Sequence, residues 1–289
     1  VADLLSIPNV SEGRDRAAIR SIADACGARL LDVHSDPDHH RSVFTIAGAP
    51  GALAPAVVAV ASAVVKSIDV ARHEGAHPRV GAIDVAPIVY LDDADRGAAC
   101  AEALVLADML GEELELPVFL YGELAGGRTR AELRRGGLPA LGARIESGAL
   151  RPDFGPEGLH PTGGAVLVGA RPPLIAFNVE LAPPATIEDA RAIAARIREG
   201  GPEGLDSVRA IGLWLAHRGV AQVSTNVEDH RSTSLADVVA AVRRHAPPVR
   251  AELVGLAPRA AFDDFPDDVK VANKRLIEDV LGAGDPPAH

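Results

Sequence analysis

Aromatic side chains are scarce in this chain: Phe, Trp and Tyr make up 3% of its 289 residues, while 47% are hydrophobic. A core built from such a chain is aliphatic, which suits the buried strands and Ala-rich helices of an α/β protein. Cysteine is limited to Cys26 and Cys100, both in helical patterns among small apolar residues. That excludes a disulfide framework and predicts buried, reduced thiols. No apolar run is long enough to span a bilayer and no signal peptide precedes Leu4, so no membrane partner is expected and a cytoplasmic location is. Basic residues are in deficit, with a net charge of −11. A duplex nucleic-acid partner needs a basic face and is excluded, whereas a local basic site for an anionic ligand is not.

Against this background one segment stands out. His73-Glu74-Gly75-Ala76-His77 spells H-E-x-x-H, and Pro78-Arg79 follows. In a zinc protease this motif works on a helix, where residues four apart share a face. Gly75 weakens a helix by ~1 kcal/mol, and Pro78 pushes His77 out of the α region. The segment therefore reads as an extended loop carrying two histidines, not as a helical zinc cradle.

The chain is long enough for one large or two small domains. Strand patterns at Leu4–Asn9, Arg29–Val33, Ser42–Ala47 and Ala82–Tyr90 alternate with helical ones at Arg14–Cys26 and Pro50–Val70. A helix at Arg96–Leu114, with Asp93 or Asp95 as its cap, and a strand at Val118–Tyr121 extend this β-α-β-β-α-β order. Residues 137–164 are rich in Gly and Pro and interrupt it, with little regular structure expected over 152–164. After a strand at Ala165–Gly169, the second half repeats the order. It has strands at Leu174–Leu181, Val208–Ala216, Val220–Val227 and Val249–Leu256, and helices at Ile187–Glu199 and Ser234–His245. A last helix is expected at Val269–Leu281, before a frayed end. The prediction is an α/β (α+β) protein of two ferredoxin-like βαββαβ subdomains, residues 1–173 and 174–289, with mixed sheets and a ligand cleft between them.

Several blocks of sequence resemble the formiminotransferase family. They are Pro8-Asn9-Val10-Ser11-Glu12-Gly13, Asp36-Pro37-Asp38-His39-His40-Arg41, and the run His73 to Val85, which fits H-x-G-x-H-P-R-[MV]-G-A-[LI]-D-V. Pro152-Asp153-Phe154-Gly155-Pro156, Leu174-Ile175-Ala176-Phe177-Asn178 and Ala221-Gln222-Val223-Ser224-Thr225-Asn226 follow in order. The resemblance covers nearly the whole chain. It implies transfer of a formimidoyl group from N-formimidoyl-L-glutamate to N5 of tetrahydrofolate, a cosubstrate, with no metal required. It also implies a homodimer and a separate cyclodeaminase acting on the product.

Carried over residue by residue, the resemblance makes His77 the catalytic acid–base group. An imidazole has a suitable ordinary pKa, and Pro78 presents it rigidly. Asp84 could orient that ring, and His73 reads as a loop histidine bonded to backbone or as a weaker substrate contact. The family's folate loop falls on Gly155, Pro156, Glu157, Gly158, Leu159, His160, Pro161, Thr162, Gly163 and Gly164, with Ile211 and Gly212 as a second segment. For the amino-acid substrate, Arg41 and Arg79 offer guanidinium forks to carboxylates. Asn9 and Ser11 either line the site or cap the first helix, and His34 and Asp36 lie in the same strip. In the mammalian type Asp stands where this chain has His34, and bacterial relatives often have Asn at the position of His40. Three other readings stay open: the same chemistry on another formimidoyl or formyl donor, a metal-dependent amidohydrolase built on His34, Asp36, Asp38 and His77, and a non-catalytic folate-binding protein.

Overall fold

Pro8 splits the first apolar run, so the chain enters the sheet twice. A computed structural model describes residues 3–26, 29–73 and 79–282. The chain divides into two compact units, Val1–Pro172 and Pro173–His289.

The first unit contains β1 (Leu4–Ser6), β2 (Asn9–Val10), α1 (Arg16–Asp24), β3 (Arg29–Asp36), β4 (Arg41–Gly48), α2 (Leu53–Ser67) and β5 (Ile83–Val89). It continues with α3 (Arg96–Leu114), β6 (Val118–Leu120), α4 (Arg130–Arg134), α5 (Gly137–Glu146) and β7 (Val166–Arg171). Its sheet begins β3-β4-β1-β5, antiparallel throughout, which is the ferredoxin-like order. β2 continues β1 beyond Pro8 and pairs with the same two neighbours. β7 then adds parallel to β5, and β6 parallel to β7, which makes the sheet mixed.

One sheet face packs on α1–α3 through fully buried aliphatic side chains such as Leu4, Ile46, Val57, Ile88, Leu106 and Val168, with Phe44 among them. On the other face, Val85, Leu167 and Phe119 of neighbouring strands meet Leu133, Leu141 and Ile145 of α4 and α5. The start of α2 has no cap of its own. Buried Glu102 of α3 supplies one, accepting the Gly51 and Ala54 N–H groups at 2.6 and 2.7 Å. A carboxylate there satisfies free donors and the positive end of the helix dipole.

Local structure departs from the sequence reading in several places. α1 is capped by Asp15, which accepts from Ala17 and Ala18 N–H, and not by Asn9 or Ser11. Asp92 caps the short turn at Asp93–Asp95 that leads into α3, and Asp95 makes no capping bond. α5 forms at the start of the Gly- and Pro-rich stretch 137–164, for which no helix was expected. Gly136 and Gly137 turn the chain at positive φ (77° and 69°), and Pro139 falls in the first turn, where its missing N–H costs nothing.

The second unit contains β8 (Ile175–Leu181), α6 (Ile187–Ile197), β9 (Val208–Leu215), β10 (Val220–Val227), α7 (Leu235–Arg243), β11 (Pro248–Val254), β12 (Val271–Ala272) and α8 (Ile277–Gly282). Its sheet order β12-β11-β8-β10-β9 holds the same ferredoxin-like set, with β12 added parallel to β11. Thr186 and Ser234 start α6 and α7 with reciprocal capping boxes. The single helix expected over 269–281 is instead β12 followed by α8. The Ala251 N–H takes the Lys270 carbonyl at 2.9 Å, and Asn273 turns the chain at φ 58° before α8 begins.

Candidate functional site

The end of β2, the β3–β4 turn and the residues flanking His77 gather around one pocket. Asn9, Ser11, His39, His40, Arg41, His73, Arg79 and Asp84 line it, with Val10. Ser11 fastens β2 to the segment entering β5: its hydroxyl donates to the Gly81 carbonyl at 2.8 Å and its N–H to Ala82 at 2.7 Å. The Asn9 amide donates to the Ile7 carbonyl at 3.1 Å. His77 lies outside the described residues, as do Glu74, Gly75, Ala76 and Pro78. At His73 the backbone is already extended (φ −79°, ψ 128°), after a single short turn over Val70–Arg72.

Strand register places the acidic strip. Asp36 stands opposite Arg41 across β3 and β4. A row through His34, Val43, Asn9 and Val85 puts His34 and Asn9 on one sheet face, though His34 is not part of the pocket wall. Asp36 bonds His39, accepting from its ring Nδ1 at 2.9 Å and its N–H at 2.8 Å. Burial alone would raise the Asp36 pKa, but the bonds and charge of His39 outweigh it and hold it at about 2.

Asp84 is the buried anion of the site, 4% exposed. Its oxygens take the Val80 N–H at 2.7 Å and the Arg134 guanidinium. These contacts anchor the segment after His77 to α4. Arg41 sits in the same cluster, its pKa pushed down to about 10 by burial and then by Arg134, with Asp84, Asp36 and Arg130 as further influences. Burial also lowers Arg79, against the pull of Asp84, and its guanidinium reaches the His73 carbonyl at 3.4 Å. Several guanidiniums close to one buried carboxylate make a site that favours an anionic ligand. Arg130 and Arg134 are absent from the sequence reading. The readable signal was Thr129-Arg130-Ala131-Glu132, which forms a capping box at the start of α4.

His40 and His73 stack with ring centroids 4.1 Å apart. The Gly13 N–H donates to His40 Nδ1 at 3.1 Å, and His73 Nε2 meets the His40 carbonyl at 3.0 Å. Burial lowers both pKa values, and for His73 the charges of Arg79 and His40 add to it, bringing that ring to about 4.

The Gly155–Gly164 loop is woven into the same end of the unit. The Val70 N–H takes the Thr162 carbonyl and the Ala82 N–H the Gly163 carbonyl, both at 2.8 Å, while Ala165 donates to the Val80 carbonyl. His160 Nδ1 accepts from the Gly163 N–H at 2.8 Å. Pro156, Glu157 and Pro161 are exposed, Gly158 faces open space, and Leu159 packs beside Gly142. The segment predicted to hold folate and the segment flanking His77 are thus joined by backbone hydrogen bonds.

In the second unit, Ile211 and Gly212 face opposite sides of β9. Ile211 is exposed. Gly212 lies beneath α6, where a Cβ would come within 2.2 Å of the Arg191 nitrogen. Its place in the fold is therefore to let helix and strand approach. Cys26 and Cys100 are free, and burial raises both thiols, Cys26 to about 11. Among the described residues no three His, Cys, Asp or Glu side chains gather as a metal site would require. No helix among them is long and apolar enough to cross a membrane.

Comparison with known proteins adds an independent finding. Residues 4–171 match the profile of the formiminotransferase domain, N-terminal subdomain, and residues 176–267 match that of the formiminotransferase domain. The chain is 39% identical over 277 residues to the formimidoyltransferase-cyclodeaminase of Sus scrofa, covering 89% of this chain and 50% of that protein. It is 36% identical over 272 residues to the glutamate formimidoyltransferase of Thermoplasma acidophilum, covering 89% of each. With that of Streptococcus pyogenes serotype M1 it shares 35% over 270 residues, covering 89% of this chain and 90% of the other. The chain thus spans about half the length of the animal relatives and nearly all of the two microbial ones.

Proposed function

The chain belongs to the formiminotransferase family, and from that membership we propose that it moves a formimidoyl group from N-formimidoyl-L-glutamate to N5 of tetrahydrofolate, releasing glutamate. The observation that carries the reading is near-full-length similarity to two proteins named glutamate formimidoyltransferase. The pocket supports it on chemical grounds. Arg41 and Arg79 line a small polar recess beside Asn9 and Ser11, and a guanidinium fork matches the carboxylates of a glutamate derivative. The Gly155–Gly164 loop fits a flat folate ring: hydrogen bonds fix its C-terminal end, and the open space at Gly158 lets backbone approach a planar ligand. Ile211 carries over as a folate contact on its exposed face of β9, Gly212 as its neighbour in sequence. His34 and Asp36 carry over on the amino-acid side.

In this reading tetrahydrofolate supplies the attacking nitrogen. The chain's residues orient the donor and manage one proton. Arg41 and Arg79 hold carboxylate oxygens, and His77 takes a proton from the incoming amine and returns it to the departing glutamate nitrogen. No residue needs to carry the group covalently, so both substrates bind together. A cytoplasmic location, a homodimer and a cyclodeaminase that consumes the product complete the proposal.

The test is turnover of N-formimidoyl-L-glutamate with tetrahydrofolate by the purified chain. Initial rates should follow a ternary-complex pattern, and ping-pong kinetics would contradict direct transfer. His77→Ala should lower turnover by about 10²–10⁴-fold while leaving the thermal transition in place. A variant keeping more than half of the activity removes His77 from the reaction.

A further inference from the structure

The stacked histidines carry a consequence beyond that reading. Hydrogen bonds assign their protons. The Gly13 N–H can only donate, so His40 Nδ1 holds a lone pair. The His40 carbonyl can only accept, so His73 Nε2 carries the proton. Burial and Arg79 keep the His73 ring neutral near pH 7. His73 Nδ1 is therefore an acceptor. It is buried, and it finds no hydrogen-bond partner among the described residues. His40 adopts φ 50°, a region that residues other than glycine seldom visit, and its carbonyl meets the His73 ring there.

A buried acceptor without a partner among the described residues costs free energy, and the His73 side chain lines the same pocket as the donors Arg41 and Arg79. Those guanidiniums suit carboxylates. Nδ1 suits the opposite kind of group, one that brings an N–H. The two ends of the proposed donor differ in this way. Its carboxylates only accept, and the terminal nitrogen of its formimidoyl group carries N–H, in the protonated amidine N–H alone.

Resting on the proposed transferase reading, we infer that His73 determines specificity: its Nδ1 accepts the terminal N–H of the formimidoyl group and so selects a nitrogen-bearing donor over the corresponding formyl compound. A formyl oxygen at that place would set lone pair against lone pair. Sites that hydrogen-bond a substrate N–H reject analogues lacking it far more strongly than apolar pockets reject a change of size. His73 makes its contact with the transferred group, and the proton transfers are left to His77.

The decisive measurement is calorimetric titration of the full chain, without tetrahydrofolate, with N-formimidoyl-L-glutamate and with N-formyl-L-glutamate. The unaltered protein should bind the formimidoyl compound on the order of 10²-fold more tightly. His73→Gln keeps a donor near the His40 carbonyl but has no acceptor at the Nδ1 position. It should cut that ratio by about 10-fold or more, with the formyl affinity little changed. His73→Asn keeps an acceptor at the Nδ1 position and should hold the ratio within a few fold. Equal weakening of both compounds in His73→Gln would mean a structural role and overturn the inference. So would equal binding of the two by the unaltered protein, or binding of neither. A selective site that shows no turnover with tetrahydrofolate sinks the transferase reading and leaves the role of His73 standing. Turnover with an unchanged ratio in His73→Gln does the reverse.

Discussion

The two units share a strand order and two crossover helices, yet they load that frame differently. In the first, the frame is extended by β7, β6 and α3–α5, and this extension supplies Arg130, Arg134 and the Gly155–Gly164 loop. In the second, the addition is one short edge strand and a short helix. Each unit also buries a carboxylate on its sheet. Asp84 is held by the Val80 N–H and by Arg134, whose side chain is 15% exposed. Glu180 is flanked by Arg218 and Arg250, with side chains 30% and 38% exposed, and burial raises its pKa against the pull of both. The difference teaches that the fold sets where a site can stand, while insertions decide how dry and how densely charged it becomes.

The largest effect should come from breaking the drier pair. Asp84→Ala leaves Arg134 and the Val80 N–H without their anion and should cost about 3–5 kcal/mol in urea unfolding. Glu180→Ala frees two arginines that can reach water, so it should cost about 1 kcal/mol or less. Equal losses would erase the contrast drawn between the two carboxylates.

A smaller effect should come from packing in the second unit. Gly212→Ala sets a Cβ against α6 backbone and should destabilise by about 1–3 kcal/mol. Binding of N-formimidoyl-L-glutamate should be unchanged. If the variant is as stable as the unaltered chain and only folate affinity falls, Gly212 belongs to the ligand site and not to helix–strand packing.

The smallest effect concerns pH. The folded His73 ring titrates near 4 against an ordinary value of 6.5, and His40 is shifted the same way, with Glu12, Arg14 and Arg79 facing the pair. Across that window the unfolded chain binds more protons than the folded one, so stability falls as pH drops from about 6.5 toward 4. Asp36, lowered to about 2, adds a further loss below the ordinary carboxylate range. Urea midpoints should decline from pH 7 to 4.5, and less steeply in His73→Gln. A slope identical in that variant would take His73 out of the effect.

Much of this was legible along the chain. β10 and α3 begin and end where the residue pattern puts them, and the two βαββαβ halves followed from alternating apolar runs. Those signals are local: period, β-branching, caps and turns act within a few residues. α5 was hidden because its glycines and proline mimic a loop, and only packing of Leu141 and Ile145 on the sheet makes the helix worthwhile. β12 was hidden for a similar reason, since a strand of two residues exists only through its partner β11.

The sequence by itself determined the family, the order of strands and helices along the chain and the candidate residues Asn9, Ser11, Arg41, His73, His77 and Arg79, because motif and periodicity are written in neighbouring positions. Only the tertiary structure decided that Asp84 holds Arg134, that Glu102 caps α2, that Gly212 serves helix packing and that His73 Nδ1 is buried with no partner among the described residues. Each of these joins side chains or backbone groups far apart in sequence. Hydrogen bonding, burial and charge coupling depend on distance in space, which residue order does not record.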